Sequence, residues 1–346
     1  MKKKRFDHKM LREIHEQPLA LRRTLDQTNA EAASMAEKNS RGIKMIYFTG
    51  SGTSYHACIA ANYIVSRMTD YPSSTLPASE FSSWTGRVKH HTGTWLIAIS
   101  QSGESRDVLS AAHSAKLSKM RVLAITNDAC SKLARLADYS IAAQAGKENA
   151  VTATKSFTAT LLVAYEFVTA LTKREELKEE LSRIPSLVDQ TLQKCEKKCR
   201  DLAFEFRDRD FLFLLGSGAN YASALEGALK LKESCNVYAE GFATREFLHG
   251  PMQLVDERTP VVILEHELSE ESVELADRFK RLGAPTIIVG PDTAVRGSDA
   301  IGIPVGVNEI YQPVSYVIPL QLFAYYSSVS RGLNPDQPTK LRKVVV

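Results

Sequence analysis

The chain has 346 residues, of which 44% are hydrophobic and 24% are charged, and this is enough for two domains with hydrophobic cores. Its formal net charge is only +4, and the one concentrated basic run is Lys2-Lys3-Lys4-Arg5 at the N-terminus. We interpret this run as a solvated tail, so the composition argues against a nucleic-acid-binding protein.

No segment has the pattern of a secretion signal or a membrane span. The longest apolar run, from Phe157 to Leu171, contains Glu166 and is too short to cross a bilayer. Five cysteines are scattered along the chain, and Cys195 and Cys199 have neither a histidine nor a second cysteine pair to complete a metal site. We therefore expect reduced thiols, no metal, no cofactor and a cytoplasmic location.

In chain order, the pattern predicts five segments. They are an N-terminal helical segment (1–40), a first domain (41–173), a helical connector (174–205), a second domain (206–333) and a C-terminal tail (334–346). Within each domain, apolar strand-like runs alternate with helix-prone stretches, which is typical of βα units around a buried parallel sheet. Pro185 is expected to interrupt the connector helix.

The second domain repeats the first. Residues 49–55 read Thr-Gly-Ser-Gly-Thr-Ser-Tyr and residues 215–221 read Leu-Gly-Ser-Gly-Ala-Asn-Tyr, so the Gly-Ser-Gly turns begin at 50 and 216, an offset of 166. Later strand-like runs keep nearly the same offset. The predicted fold class is α/β, with two tandem three-layer α-β-α domains that have mostly parallel, five-stranded, flavodoxin-like sheets.

Two loops of the first domain have the composition of an anion site. The run Trp95–Ile99 ends in Ser-Gln-Ser-Gly-Glu-Ser (100–105), directly before a helix predicted to begin near Asp107. Backbone N–H groups at a helix start can hold an anion, hydroxyls add donors, and Gly103 allows close approach. A helix cap needs only one serine, so this loop and the turn at 50–54 together favour a bound phosphate.

The ligand class follows from what these loops lack. Neither continues into the Gly-Lys-Ser/Thr of a Walker loop or has the third glycine of a dinucleotide fingerprint, so a sugar phosphate fits better than a nucleotide. In the second domain, the same 166-residue shift places His-Glu-Leu-Ser-Glu-Glu (266–271) opposite the serine loop. Its acidic residues would repel a phosphate, so we expect one phosphate site per chain.

These motifs resemble the sugar isomerase (SIS) family, in particular the isomerase domains of glucosamine-6-phosphate synthases and the SIS-type glucosamine-6-phosphate deaminases. The resemblance covers the chain from about Leu11 to the C-terminus and rests on six stretches: 52–55, 100–104, Ala-Thr-Lys-Ser-Phe (153–157), Ala-Leu-Glu-Gly-Ala-Leu-Lys-Leu-Lys-Glu (224–233), Glu-Phe-Leu-His-Gly-Pro (246–251) and Asp-Gln-Pro (336–338). The family's synthases also carry a glutaminase domain, for which we expect no counterpart and hence no glutamine hydrolysis. Arg245 and Phe247 depart from the synthase pattern, and Ser105 replaces a threonine.

The resemblance implies roles for four candidate catalytic residues. Glu233 would carry a proton between two sugar carbons and Lys230 accompanies it, although an i, i+3 pair by itself indicates an exposed salt bridge. His249 would open the sugar ring, reaching into the site of a second subunit in a homodimer. Lys343 would form a Schiff base with the open-chain sugar, with Lys340 as the alternative if the alignment slips.

The resemblance and the loops together give a set of candidate substrate-binding residues. Three of these residues, at 148, 151 and 152, would contact the sugar; the alternative interpretation is that this segment only caps the helix beginning near Thr154. The set is Ser51, Thr53, Ser54, Ser100, Gln101, Ser102, Ser105, Glu148, Val151 and Thr152.

The function predicted from the sequence is conversion of glucosamine 6-phosphate and water to fructose 6-phosphate and ammonia. Two enzymatic alternatives stay open, a fructosamine-phosphate deglycase and the isomerase half of an ammonia-dependent glucosamine-6-phosphate synthase. A non-catalytic sugar-phosphate sensor is disfavoured, because the chain keeps Glu233, His249 and Lys343 together. The expected partners are a sugar phosphate and a second copy of the chain, with no nucleic acid and no membrane.

Overall fold

The computed structural model describes residues 8–85, 92–295, 297 and 299–343, so the basic run at 2–5 lies outside the described residues. The chain divides into two compact units. The first-repeat unit is drawn from Leu19–Glu148, Lys155–Pro185 and the chain from Arg342 onward. The second-repeat unit is drawn from Met1–Pro18, Asn149–Thr154 and Ser186–Leu341.

The first-repeat unit contains one five-stranded, all-parallel sheet in the order β2-β1-β3-β4-β5. Its strands are β1 (Met45–Gly50), β2 (Ser73–Pro77), β3 (Thr94–Ser100), β4 (Arg121–Thr126) and β5 (Tyr139–Ala142). The accompanying helices are α2 (Gln17–Asn39), α3 (Thr53–Met68), α4 (Ala78–Thr85), α5 (Arg106–Leu117), α6 (Lys132–Leu136) and α7 (Lys155–Thr172).

The central strand β3 shows why this sheet is buried on both faces. Successive side chains of a strand point to opposite faces, and every residue of β3 is buried. Leu96 packs in a cluster with Phe81 of α4 and Val108 of α5, whereas its neighbour Trp95 stacks on Phe167 of α7 at a ring-centroid distance of 5.9 Å. Helices therefore cover both faces, which confirms the predicted three-layer arrangement.

The second-repeat unit has the same topology. Its all-parallel sheet runs in the order β7-β6-β8-β9-β10, the same pattern counted from its own first strand. The strands are β6 (Phe211–Gly216), β7 (Tyr238–Ala243), β8 (Val261–Leu264), β9 (Thr286–Pro291) and β10 (Ala300–Ile303). The helices are α1 (Lys9–His15), α9 (Asn220–Cys235), α10 (Glu270–Arg281) and α11 (Pro313–Ser330).

The connector is one continuous helix, α8 (Glu175–Glu205), and the prediction that Pro185 interrupts it is wrong. A proline inside a helix removes one backbone hydrogen bond, but apolar side chains on both sides of it are buried here, including Leu181 before it and Val188 after it. Continued burial of the apolar face holds the helix together. The division between the two units falls within α8, after Pro185.

The register of the two sheets corrects the predicted alignment of the repeats. Thr49 of β1 pairs with Ala98 of β3, and Leu215 of β6 pairs with Ile263 of β8, so the offset falls from 166 between β1 and β6 to 165 between β3 and β8. Counted along the strands, Glu265, and not His266, occupies the position of Ser100.

None of the helices that the structure describes is long and apolar enough to cross a membrane.

Candidate functional site

The serine loop and the Gly-Ser-Gly turn follow neighbouring strands of the first-repeat unit. β1 ends at Gly50 and β3 ends at Ser100, and these strands pair directly. The chain crosses from β1 to β2 on one side and from β3 to β4 on the other, so both loops leave the carboxyl edge of the sheet at its topological switch point. Open α/β sheets bind their ligands at this position.

Backbone hydrogen bonds shape the serine loop. The buried Ser100 hydroxyl accepts a hydrogen bond from the Gly103 N–H at 3.1 Å, and the Ser102 hydroxyl accepts one from the Glu104 N–H at 3.2 Å. The carbonyl of Gln101 accepts the Asn127 N–H at 3.0 Å. Ser105 occupies the N-cap position of α5, but its side chain makes no cap bond. Its hydroxyl is therefore available to a ligand.

Gly103 is the position where this loop tolerates no side chain. Its φ is +63°, and an added Cβ would lie 2.2 Å from the Ser131 hydroxyl oxygen. The segment that crowds it also braces the loop, because Lys132 pairs with Glu104 at 2.7 Å and its N–H donates to the same carboxylate at 2.9 Å. The segment at 131–132 thus fixes the serine loop in addition to strand β3, which precedes the loop.

The first turn of α3 forms the second half of the candidate phosphate site. Gly52, with φ +54°, is its N-cap and has no side chain to cover the first amides, and Ser51 and Gly52 are exposed. Thr53 and Ser54 lie in the first helical turn and are half-buried. A Cβ at Gly50 would lie 2.8 Å from the Ser54 carbonyl carbon, so the helix start packs closely on the strand end.

Glu148 joins the start of α7 to the C-terminal tail within the same unit. Its fully buried carboxylate accepts the Ser156 N–H at 3.1 Å and the Ser156 hydroxyl at 2.6 Å. The same carboxylate lies 2.8 Å from the side-chain amine of Lys343, whose side chain is 26% exposed. Glu148 therefore contacts both the first turn of α7 and the tail lysine, so its contacts extend beyond those of a helix cap.

The next residues of that loop belong to the second-repeat unit. The Val151 N–H donates to the carbonyl of Asp336 at 3.1 Å, so this loop is tied to the tail by a backbone hydrogen bond. Thr152 is fully buried, and its hydroxyl has no hydrogen-bond partner among the described residues. Such a group is costly to leave unpaired.

Lys230 corrects the expectation of an exposed salt bridge, because its side chain is fully buried. It lies 3.1 Å from Glu226 and 2.8 Å from Glu233, and the side chain of Glu226 is also fully buried while that of Glu233 is 21% exposed. Burial alone would lower the pKa of Lys230, but the two carboxylates outweigh it and raise this pKa above its usual range. Lys230 thus stays charged, and Glu233 alone of the two carboxylates reaches solvent.

The histidine loop is anchored by an aromatic side chain. Phe247 is fully buried, with ring-centroid distances of 4.8 Å to Phe213, 5.5 Å to Phe242 and 5.9 Å to Phe279. His249, two residues later, is exposed. Phe247, one of the departures from the synthase pattern, is thus a core residue that packs the start of the histidine loop against the sheet.

The second-repeat unit places a buried carboxylate at its own switch point. Glu265 accepts a hydrogen bond from the Ser217 hydroxyl at 3.1 Å, and the Ser217 hydroxyl also lies 3.0 Å from that of Thr244. Burial raises the pKa of Glu265. Since Ser217 corresponds to Ser51, this carboxylate stands where the first repeat would bind an anion, and it supports the expectation of one phosphate site per chain.

The candidate residues thus fall into two groups. The first-repeat unit holds the phosphate loops, Glu148 and Lys343, and the second-repeat unit holds Val151, Thr152 and the catalytic candidates Lys230, Glu233 and His249. Sequence reasoning missed Glu226, which its i, i+4 spacing to Lys230 could have indicated. Across the described ranges, no group of three or more His, Cys, Asp or Glu side chains is arranged to hold a metal ion.

Comparisons with known proteins agree with this architecture. The SIS domain model matches residues 41–170 and 205–331. A glutamine–fructose-6-phosphate aminotransferase (isomerizing) of Methanothermobacter thermautotrophicus is 37% identical over 98% of this chain. The alignment covers 58% of that relative, so the chain spans less than two thirds of the curated relatives that it matches.

Solved structures show the same fold. The C-terminal domain of the glucosamine–fructose-6-phosphate aminotransferase from Francisella tularensis superposes with a TM-score of 0.86 at 30% identity, covering 96% of this chain and 98% of that one. A glucosamine-6-phosphate deaminase from Thermotoga maritima has a TM-score of 0.83 at 24% identity over 97% and 99% of the two chains. At that identity the second likeness concerns the fold alone.

Proposed function

From the premise that the chain belongs to the SIS domain family, we propose that it is a sugar-phosphate isomerase and deaminase. The proposed reaction converts glucosamine 6-phosphate and water to fructose 6-phosphate and ammonia. The observation that carries the proposal is the pairing of Lys343 with the buried Glu148 in the unit that also holds the serine loop.

The phosphate group is proposed to bind at the first switch point. The Ser105 hydroxyl makes no cap bond, and the exposed Ser51 follows the neighbouring strand. Hydroxyls and helix N-terminal amides are good donors to phosphate oxygens, and the positive end of a helix favours the negative charge. Glu265 occupies the equivalent place in the second repeat, where its carboxylate would repel a phosphate, and this supports one such site per chain.

Lys343 is proposed to react with the open-chain sugar. An amine attacks a carbonyl carbon only after it loses its proton, and the carboxylate 2.8 Å away is a base within hydrogen-bond reach. Schiff-base formation with the ketose carbonyl releases one water. The amine is then regenerated when water attacks the same carbon.

Glu233 is proposed to move the proton between C2 and C1. Removing the C2 proton of the open-chain aldose and returning one to C1 gives a ketimine, and water hydrolyses this to the ketose and ammonia. Lys230 lies 2.8 Å from Glu233 and is itself fully buried, so it can fix the carboxylate in place. His249 is proposed to assist ring opening, since an imidazole exchanges protons near neutral pH.

A second candidate is the isomerase half of an ammonia-dependent glucosamine-6-phosphate synthase. The observation in its favour is the 37% identity to an isomerizing aminotransferase. The same residues would act in the opposite direction, with ammonia attacking the ketose carbonyl. The direction would then depend on the supply of ammonia.

Incubation of the purified chain with glucosamine 6-phosphate, with fructose 6-phosphate and ammonia measured together, tests the leading proposal. We expect equimolar release of both products, and Glu233→Gln should abolish turnover while sugar-phosphate binding remains. Turnover only of fructose 6-phosphate with added ammonia would favour the synthase half instead. Turnover only of fructosamine phosphates would overturn both candidates.

The proposed homodimer has its own test. If His249 completes the site of a second copy, then mixing inactive His249→Ala with inactive Glu233→Gln chains should restore activity, because each hybrid contains one site with both residues. Subunit exchange is followed by mass spectrometry of differently labelled chains. Exchanged hybrids without activity would contradict a shared site.

A further inference from the structure

Helix α1 has an anchoring role that the proposed mechanism does not use. Its buried face carries Met10, Ile14 and, between them, the fully buried carboxylate of Glu13. A carboxylate in such a position needs hydrogen-bond donors, because burial without them is costly. The donors come from a distant part of the chain.

Glu13 binds the loop that follows Glu148. One carboxylate oxygen accepts the Asn149 N–H at 2.5 Å and the Asn149 side-chain amide at 3.3 Å, and the other accepts the Ala150 N–H at 3.2 Å. Hydrogen bonds to an ionised carboxylate are among the stronger ones in proteins. Two successive backbone amides are thus fixed next to Glu148 in the sequence.

Asp336 binds the other end of the same helix. Its carboxylate accepts the N–H groups of Lys9 and Met10 at 2.9 and 2.8 Å, at the helix start where His8 makes no side-chain cap bond. Its carbonyl accepts the Val151 N–H at 3.1 Å. The tail is therefore tied to both α1 and the loop, seven residues before Lys343.

We propose that Glu13 and Asp336 are positioning residues that set the placement of the Glu148–Lys343 pair. Glu148 directly precedes the loop at 149–151, which α1 holds through Glu13. Lys343 follows Asp336, which holds the start of α1, by seven residues. The inference rests on the proposed function insofar as the pair is catalytic.

The variants Glu13→Gln and Asp336→Asn test this with little change in side-chain size. Glu16→Gln is the matched control, because Glu16 directly follows the same helix and its side chain, which pairs with Arg12 at 3.7 Å, is 39% exposed. Two readouts are measured, amide hydrogen exchange at 149–151 and at Ser156, and kcat and KM for glucosamine 6-phosphate. The Ser156 amide is informative because it donates to Glu148.

For Glu13→Gln we expect exchange at Asn149 and Ala150 to rise by about tenfold or more, with a smaller rise at Ser156. We also expect kcat to fall by about tenfold while KM changes less than twofold, since the phosphate loops are untouched. Asp336→Asn should show the same split with faster exchange at Val151. Glu16→Gln should match the unaltered chain in both readouts.

Two outcomes would overturn the proposal. One is unchanged exchange at Ser156 in both variants, which would show that Glu148 is placed independently of α1. The other is faster exchange with kcat unaltered, which would reduce Glu13 and Asp336 to a purely structural role. If the unaltered chain does not turn over glucosamine 6-phosphate at all, the proposed function fails, and the exchange rates at Ser156 still decide whether α1 sets the placement of Glu148.

Discussion

The side-chain amine of Lys343 lies 2.8 Å from Oε2 of Glu148, a residue 195 positions earlier whose side chain is fully buried. Ser156 donates to the same carboxylate through its N–H and its hydroxyl, so Glu148 has donors that hold it in place besides the lysine. This relationship makes an otherwise ordinary tail lysine the strongest candidate nucleophile, and it leads to the first prediction.

Replacing Lys343 by arginine should abolish turnover while leaving sugar-phosphate binding within about twofold. The guanidinium keeps the positive charge beside Glu148, but it stays protonated and cannot form a Schiff base. The measurement is borohydride reduction in the presence of fructose 6-phosphate, followed by peptide mass analysis. The added mass should map to Lys343 in the unaltered chain and be absent from the variant.

The exposed Lys340 provides the control for this experiment. Lys340→Arg should retain both turnover and the trapped adduct. An adduct that survives Lys343→Arg but disappears in Lys340→Arg would transfer the role to Lys340, which was the alternative alignment of the tail.

Gly103→Ala should weaken phosphate binding by roughly tenfold to a hundredfold, the loss expected when charge-assisted hydrogen bonds are displaced. The added methyl group meets the Ser131 side chain and also strains a backbone with φ +63°, so the serine loop must move. Isothermal titration with fructose 6-phosphate measures the change.

Gly332→Ala separates strain from steric contact, because Gly332 has φ +70° but no atom within 4 Å of an added Cβ. It should cost only about 1–2 kcal/mol of stability and leave phosphate affinity unchanged. Equal affinities for Gly103→Ala and the unaltered chain would mean that the serine loop does not contact the phosphate.

Lys230→Met should lower the free energy of unfolding by about 3–5 kcal/mol. The substitution leaves the buried carboxylate of Glu226 and the partly exposed one of Glu233 without their shared cation. Urea unfolding followed by circular dichroism gives the value. Lys178→Met is the matched control, since Lys178 makes a more exposed i, i+3 pair with Glu175, and it should cost less than about 1 kcal/mol. Similar costs for the two variants would contradict a buried ion-pair cluster.

Glu166→Gln should stabilise the chain increasingly as the pH rises. Burial raises the pKa of Glu166 to about 8 from the ordinary 4.5, against a hydrogen bond from the Thr28 hydroxyl that lowers it. Between these two values the folded state binds a proton that the unfolded state has released. The contribution of Glu166 to stability is therefore full below the ordinary pKa and is lost as the pH rises towards 8, at up to ~1.4 kcal/mol per pH unit.

Urea titrations of Glu166→Gln and of the unaltered chain from pH 5 to 8.5 measure the difference in their free energies of unfolding. This difference should change with pH roughly between the ordinary pKa of a glutamate and the raised pKa of Glu166. Glu37→Gln, at an exposed position of α2, should leave the pH profile unchanged. Parallel profiles for Glu166→Gln and the unaltered chain would show that Glu166 ionises normally and that water reaches it in the folded state.

The sequence alone determined the sheets and the repeat. Runs such as Trp95–Ile99 are apolar at every position, and a strand can be buried on both faces only between two layers of helices, so the pattern implied the three-layer fold. The serine loop and Gly103 were also readable, because strand ends, glycine and hydroxyl composition are local features. The continuity of α8 could not be predicted from the sequence. Proline disfavours a helix through local backbone geometry, whereas burial of Leu181 and Val188 stabilises the helix through packing.

Only the tertiary structure decided which charged residues are buried and what they contact. The i, i+3 spacing of Lys230 and Glu233 suits an exposed pair as well as a buried one, and nothing local marks Lys230 as fully buried. Glu148 and Lys343 are 195 residues apart, so no window of sequence brings them together. Spacing along a chain fixes neighbours on one helix or strand, whereas burial and long-range pairing depend on how those elements pack, and that packing makes the tail lysine a reactive candidate.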